Sequence, residues 1–185
     1  MLSKQVLRQQ ARDRRRQLSP QWVQQRSQAL VDRLRHWPRW PNLGTVFLYS
    51  PLPGEPDVAL LCADRTKTWG VPRCVGDRLD WHVWPPGAPL PPGRFGIGEP
   101  EPTWPRLTME SADAVLVPAL MGDRQGHRLG WGAGFYDRAL STATGWRIGL
   151  LFAEFLVESL PADPWDVPMD AIVTEAAWLP ISANV

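Results

Sequence analysis

The stretch ADAVLVPALMGDRQGHRLGWGAGFYDRAL, Ala112 to Leu140, decides how this chain folds. Its opening run, Ala112 to Leu120, is almost continuously apolar, as a central strand covered on both faces has to be. Three glycines then stand at alternate positions, Gly130, Gly132 and Gly134, directly before a run from Phe135 to Leu140 that reads as a helix. Strand, glycine-rich loop and helix in that order let backbone N–H groups converge on phosphate. A glycine leaves the approach open, and the helix dipole favours an anion. Arg128 and Arg138 bracket the loop with positive charge, and Asp137 lies in the first helical turn, where a carboxylate can hold the divalent cation that accompanies a nucleotide. Alternating glycines also mark tight turns and bulges, and Asp137 would in any case complement the helix dipole by about 0.3–1 kcal/mol. The rest of the chain has to decide.

Working outward, Arg147 to Phe152 reads as the next strand and Ala171 to Thr174 as the last. Upstream, Thr45 to Tyr49 (TVFLY) is short, apolar and β-prone, and the proline-rich turn SPLPGEPD follows it before a helical run, Val58 to Ala63. Short strand candidates, Trp69 to Val71 and Asp80 to Trp84, stand among the prolines and glycines between Lys67 and Pro105. Strands alternating with helices predict an α/β fold: one domain over residues 1–185, three layers α/β/α, with a mostly parallel central sheet. In such a sheet the loops at the carboxyl ends of the strands converge, which places Glu55 and the glycine loop on one rim. Taken singly, Glu55 reads equally as an exposed loop residue or a helix cap.

At the amino end Ser3 is an N-cap, and residues 4 to 17 contain neither glycine nor proline, so a first helix is predicted there. Leu7, Ala11 and Leu18 make a thin apolar stripe, and Lys4, Arg8 and Arg12 repeat at four-residue spacing beside it. By charge alone this cation ladder is a solvated face, and Arg14 to Arg16 read as surface residues. Ser19 and Pro20 start a second helix, with Trp22, Arg26, Leu30, Leu34 and Trp37 at amphipathic spacing up to the break at Pro38.

Composition narrows the class. A length of 185 residues buries a core without disulfides or metals, and Cys62 and Cys74 read as free thiols in a reducing compartment. No apolar run approaches the ~18–20 residues that cross a bilayer, so a soluble, cytoplasmic protein is expected, with no membrane partner. Half of the twenty Lys and Arg residues lie between Lys4 and Arg39, against Asp13 and Asp32 alone, yet the net charge is only +1. Nucleic-acid-binding domains are more basic and carry RNP-like or zinc motifs, so nucleic acid is excluded as a partner. The three histidines, His36, His82 and His127, are scattered, and no Ser-His-Asp or Cys-His arrangement stands out. Eleven tryptophans and twenty prolines have no functional reading.

The run from Val117 to Leu140 resembles the signature of the 5-formyltetrahydrofolate cyclo-ligase family, also called methenyltetrahydrofolate synthetase. That signature has the form VPG-x-x-F-D-x-x-G-x-R-L-G-x-G-x-G-Y-Y-D-R. Asp123, Gly126, Arg128, Leu129, Gly130, Gly132, Gly134, Tyr136, Asp137 and Arg138 fall in register with it. GRFGIGEP, Gly93 to Pro100, is similar to a second family segment, G-x-F-G-I-x-E-P, and the likeness reaches both ends of the chain, including the basic start that would otherwise also suit an organellar transit peptide.

The resemblance implies a monomeric enzyme that uses ATP and Mg²⁺ to convert 5-formyltetrahydrofolate to 5,10-methenyltetrahydrofolate, ADP and phosphate, without a protein nucleophile. It implies that Lys4 and Arg8 (K-x-x-x-R) bind the ATP phosphates together with Arg128, Leu129, Gly130, Trp131, Gly132, Ala133, Gly134, Phe135 and Tyr136. It assigns Leu52, Glu55 and the Trp131 to Phe135 loop to the folate, and Asp137 and Asp166 to the metal. Phe95 and Ile97 suit packing against a flat aromatic ligand and Trp81 or Trp84 stacking on a pterin ring, with core packing the commoner role for any one of the four. Asp170 reads as a cap or turn. The chain departs from the family pattern at Trp131 (Tyr or Arg in relatives), Ala133 (Gly or Lys), Phe135 (Tyr) and Phe155 (often Gln). The alternative function is a non-catalytic folate- or nucleotide-binding relative of the same fold.

Overall fold

The structure is a computed structural model describing residues 2–85 and 87–181, so residue 1, residue 86 and residues 182–185 of the expected domain lie outside the described part. Helix α1 (Lys4–Arg15) starts where Ser3 accepts the Val6 N–H at 3.4 Å. Helix α2 (Pro20–Arg35) starts at Ser19, which accepts the Trp22 N–H at 3.2 Å, with proline in the first turn where no backbone donor is needed. Strand β1 (Thr45–Phe47) follows. The helical run expected over 58–63 forms only a 3-10 turn, Ala59–Ala63, the form that short helical pieces commonly take.

Next come β2 (Thr68–Val75), β3 (Arg78–Val83), β4 (Arg106–Leu107) and β5 (Ala114–Pro118). The chain continues through β6 (Met121–Asp123), β7 (Arg128–Leu129), α3 (Phe135–Leu140) and β8 (Trp146–Leu150), then β9 (Leu156–Val157), β10 (Ala171–Val173) and β11 (Trp178–Pro180). The main sheet has the order β11-β10-β8-β5-β1-β2-β3-β4, and β7-β6-β9 form a small second sheet. Pairing is parallel across β10, β8, β5, β1 and β2 and antiparallel at both margins.

Side chains alternate across β1 and β5 and fill two cores. Val46, Leu116 and Ile148 face Leu30, Val31 and Leu34 of α2. Phe47, Val115, Val117 and Ile172 face the other way, toward Ala11 of α1 and Leu140 of α3. The fold is therefore the expected three-layer α/β type with a mostly parallel sheet. Trp81 and Trp84 are buried, Trp81 stacked on Phe47 with ring centroids 4.4 Å apart, so both belong to the interior. Among the described residues no helix is long and apolar enough to cross a membrane.

Topology sets the position of the site. The chain leaves β1 toward β2 on one side and returns to β5 on the other, so the carboxyl ends of β1 and β5 flank a switch point, where open α/β sheets hold their ligands.

Candidate active site

Two loops meet at this switch point. The first leaves β1 and carries Leu52 and Glu55, whose Oε2 accepts the Leu52 N–H at 2.9 Å within the turn. The second follows β5, turns through the β6–β7 hairpin and carries the glycine segment. Trp131 reaches from it to donate its indole N–H to Glu55 Oε1 at 2.8 Å, joining residues 76 positions apart. Glu55 is 3% exposed, neither the surface loop residue nor the helix cap that its sequence context allowed. Burial raises its carboxyl above the usual range, and the Leu52 N–H, the Arg15 charge and the Trp131 N–H partly offset that rise.

The glycine loop is open toward the same space. The amides of Trp131, Gly132, Ala133 and Gly134 have no hydrogen-bond acceptor among the described residues. Gly134 caps α3 in the left-handed conformation, φ +70°, which strains any residue with a Cβ, so the turn into the helix favours glycine. Arg138 braces the loop from outside, donating to the Asp77 carbonyl at 2.6 Å and the Ala133 carbonyl at 2.9 Å.

Helix α1 forms the opposite wall, and its cation ladder is engaged with protein groups instead of solvated. Lys4 Nζ contacts Asp163 at 2.6 Å and also pairs with Asp166. Arg8 Nε donates to the Gly130 carbonyl at 2.9 Å, and Arg12 Nη2 to the Trp131 carbonyl at 3.1 Å. Arg14 and Arg16 are exposed as expected, but Arg15 is not a surface residue. It is 4% exposed, and its guanidinium donates to the carbonyls of Gly54 and Ala119, each at 2.6 Å. Charge patterning alone hid it, although Arg15 lies three helical turns from Lys4 and so continues the same stripe.

Acidic groups complete the cleft. Asp137 Oδ1 accepts from Arg128 Nη2 at 2.7 Å and from the Val167 N–H at 3.3 Å, which ties the start of α3 to the Asp163–Asp166 loop. Burial opposes ionisation of Asp166, but the Asp163 N–H and the Lys4 ammonium together hold its carboxyl below the usual range. Burial likewise works against the Lys4 charge, and Asp163 and Asp166 overcome it and raise the lysine. Tyr49 and Tyr136 are raised by burial, with Glu55 adding to the effect, and remain neutral phenols. Asp170 is structural, bound by Arg147 Nε and Nη2 at 3.0 and 2.7 Å between β8 and β10.

Every site residue expected from the sequence, Lys4, Arg8, Leu52, Glu55, Arg128 through Asp137, and Asp166, lines one cleft of about 1070 Å³. Phe95 and Ile97 line it too. Asp163 and Trp165 also face it and went unnoticed in the sequence, where only proximity to Asp166 could have signalled them.

Fold and cleft define an α/β protein with a cleft at its sheet switch point, lined by the open amides of the glycine loop, the basic side chains of α1 and the carboxylates of Glu55, Asp137, Asp163 and Asp166. The 5-formyltetrahydrofolate cyclo-ligase family model matches residues 1–175. A 5-formyltetrahydrofolate cyclo-ligase from Mycolicibacterium smegmatis is 38% identical over 146 residues, 70% of this chain and 73% of that protein. One from Escherichia coli is 30% identical over 176 residues, 88% and 95% of the two chains. The solved 5,10-methenyltetrahydrofolate synthetase of Aquifex aeolicus superposes with a TM-score of 0.89 at 31% identity, covering 100% of this chain and 95% of that one. The chain belongs to the 5-formyltetrahydrofolate cyclo-ligase family and is an enzyme of that class.

Proposed function

We propose that this enzyme closes 5-formyltetrahydrofolate to 5,10-methenyltetrahydrofolate in an ATP- and Mg²⁺-dependent reaction that releases ADP and phosphate, acting as a single-domain cytoplasmic monomer. The observation that carries the reading is the Trp131–Glu55 hydrogen bond, because it joins the residue assigned to the folate to the loop assigned to the phosphates within one cleft. A volume of about 1070 Å³ lies at or above the upper end of the ~300–1,000 Å³ that accommodates one drug-sized ligand, as a site for two substrates needs.

The chemistry requires alignment and charge neutralisation rather than a nucleophile. A formyl group on a ring nitrogen is an amide, with a poorly electrophilic carbon and an oxygen that leaves badly. Attack of the formyl oxygen on the γ-phosphorus of ATP corrects both, after which the neighbouring folate amine closes onto the activated carbon and phosphate departs. The unpartnered amides of Trp131 to Gly134 would receive phosphate oxygens, and Arg8, whose Nη atoms donate to no carbonyl among the described residues, would neutralise their charge. Lys4 is held beside them by Asp163 and Asp166, ready to exchange a carboxylate for a phosphate. Leu52, Glu55 and the aromatic faces of Trp131 and Phe135 would fix the folate so that its formyl oxygen lies in line.

The residues fit a magnesium ion. Asp137 Oδ2 and Asp166 Oδ1 accept no hydrogen bond from the described residues, and both carboxylates lie on the cleft wall. Among the described residues no group of three or more His, Cys, Asp or Glu side chains gathers there, so waters and phosphate oxygens would have to supply the remaining ligands. When bound, such an ion would neutralise charge on the transferring phosphoryl group.

The two open carboxylate oxygens speak against a binder that takes the folate alone, which has no use for them. Stoichiometry tests the proposal: one ADP and one phosphate should appear for each methenyl product formed. Product without ADP would overturn the phosphorylation step.

A further inference from the structure

We propose that Arg15 is a positioning residue for the folate half of the site, holding the Glu55 loop in register with the loop that follows β5. The inference rests on the reading of Glu55 as the folate-binding carboxylate.

Its geometry is that of a staple across the switch point. Arg15 is the last residue of α1, and its guanidinium lies in the crevice between the carboxyl ends of β1 and β5. Nη1 donates to the carbonyl of Gly54, the residue immediately before Glu55, at 2.6 Å. Nη2 donates to the carbonyls of Ala119 at 2.6 Å and Leu120 at 3.3 Å, on the chain leaving β5 toward the glycine segment. A planar fork is the side chain that can grip two separate loops at once. The Phe155 ring lies 4.5 Å beneath the guanidinium and fixes its plane.

The Glu55 loop is shaped to this contact. Gly54 has φ +80°, and a Cβ there would approach Arg15 Cβ to 3.0 Å and the Arg15 carbonyl to 3.3 Å, so the loop lies directly against the helix backbone.

Simple packing does not account for an arginine here. Among the described residues no carboxylate lies within ion-pair distance of it, and burial lowers its pKa below the usual guanidinium value, so the position carries an electrostatic cost that an apolar side chain would avoid. Its charge acts on Glu55, which also acts on Tyr49 and Tyr136 and accepts the Trp131 N–H, while Glu154 and Tyr49 act on the arginine as well. Of these groups Arg15 supplies the positive charge that favours the Glu55 carboxylate. One side chain therefore braces the loop that carries Glu55 and, with the Leu52 and Trp131 N–H groups, offsets part of the rise that burial imposes on its carboxyl.

The test measures KM for each substrate, and the pH profile of kcat/KM for the folate, in the wild type, Arg15→Met, Arg15→Lys, Glu55→Gln and the Arg15→Met/Glu55→Gln double variant. Arg15→Met should raise the folate KM about tenfold while changing the ATP KM less than about twofold, and should move the acid limb of the profile to higher pH. Arg15→Lys keeps the charge but reaches one loop only, so it should restore the acid limb and leave part of the KM defect. In the double variant the folate KM should match that of Glu55→Gln alone. Equal rises in both KM values, or full additivity in the double variant, would overturn the proposal. A normal folate KM in Glu55→Gln would instead sink the reading of Glu55, whereas a normal value in Arg15→Met beside a raised one in Glu55→Gln would sink the Arg15 proposal alone. If Arg15→Met does not fold, Arg15→Lys carries the same comparison, and a defect shared equally by both substrates overturns it.

Discussion

Asp137 illustrates how much a single carboxylate in this cleft is asked to hold. Its Oδ1 is bound by Arg128, whose side chain is 4% exposed, and by the Val167 N–H, while its Oδ2 is open to the cleft. Asp137→Asn keeps the shape and removes the charge. Turnover should fall by at least ~10²-fold from loss of the charged metal ligand, and stability by about 1–3 kcal/mol from the Arg128 guanidinium left uncompensated. Steady-state rates and thermal melts check both, and near-wild-type turnover would remove the metal assignment. Lys4→Ala should raise the ATP KM by about tenfold, with a much smaller change for the folate; a defect confined to the folate KM would contradict the phosphate role. At this scale the residue types were legible in the sequence and their partners were not. That position 131 is aromatic is plain; that its indole N–H closes on a carboxylate 76 residues upstream depends on two loops meeting at a switch point. Arg15 was misread because a run of basic residues looks the same whether a guanidinium is solvated or buried on carbonyls.

Helix α1 is the element that assembles the site. Lys4 engages the Asp163–Asp166 loop, Arg8 and Arg12 the glycine loop, and Arg15 the loops after β1 and β5, so these four loops of the cleft are tied to one helix. The sequence showed this helix and α2 through their serine caps, and α3 through the glycines before it. Strands of two or three residues such as β4, β6, β7, β9 and β11 were invisible because so short a run carries no periodicity and is defined only by its partner. The glycine loop provides the element-level prediction. Gly134→Ala forces a side chain into a left-handed conformation, costing about 1–2 kcal/mol, while the Arg138 terminus it meets is flexible enough to move aside. The variant should melt about 2–8 °C lower and bind ATP more weakly, as calorimetry and titration would show. Unchanged ATP affinity would mean that the loop amides do not face the phosphates.

For the whole molecule, the sheet order and its two cores followed from a few strongly apolar runs, and Ala112 to Leu120 was decisive because a strand buried on both faces must be central. The abundance of tryptophan also finds a physical place, since Trp37, Trp40 and Trp69 fill the core beneath α2. The link between α1 and the Asp163–Asp166 loop, far apart in sequence, makes stability depend on pH. Asp166 is depressed, so its contribution is present above the ordinary aspartate range and is lost as pH falls through the lowered value. Lys4 is raised, so its contribution is present below the ordinary lysine value and is lost as pH rises through the higher one. Lys4→Ala should therefore lower Tm by about 2–4 °C at neutral pH and by progressively less below about pH 4. A Tm difference that stays constant down to pH 3 would show that the pair contributes nothing through its charge.

The central claim is that one cleft brings ATP and 5-formyltetrahydrofolate together for phosphoryl-driven ring closure. Purified enzyme mixed with 5-formyltetrahydrofolate, with and without ATP and with and without Mg²⁺, reports this directly through the near-ultraviolet absorbance of the methenyl product. The account predicts that the absorbance rises only when ATP and Mg²⁺ are both present. No rise from folded enzyme that binds ATP, or a rise that needs neither, would contradict it.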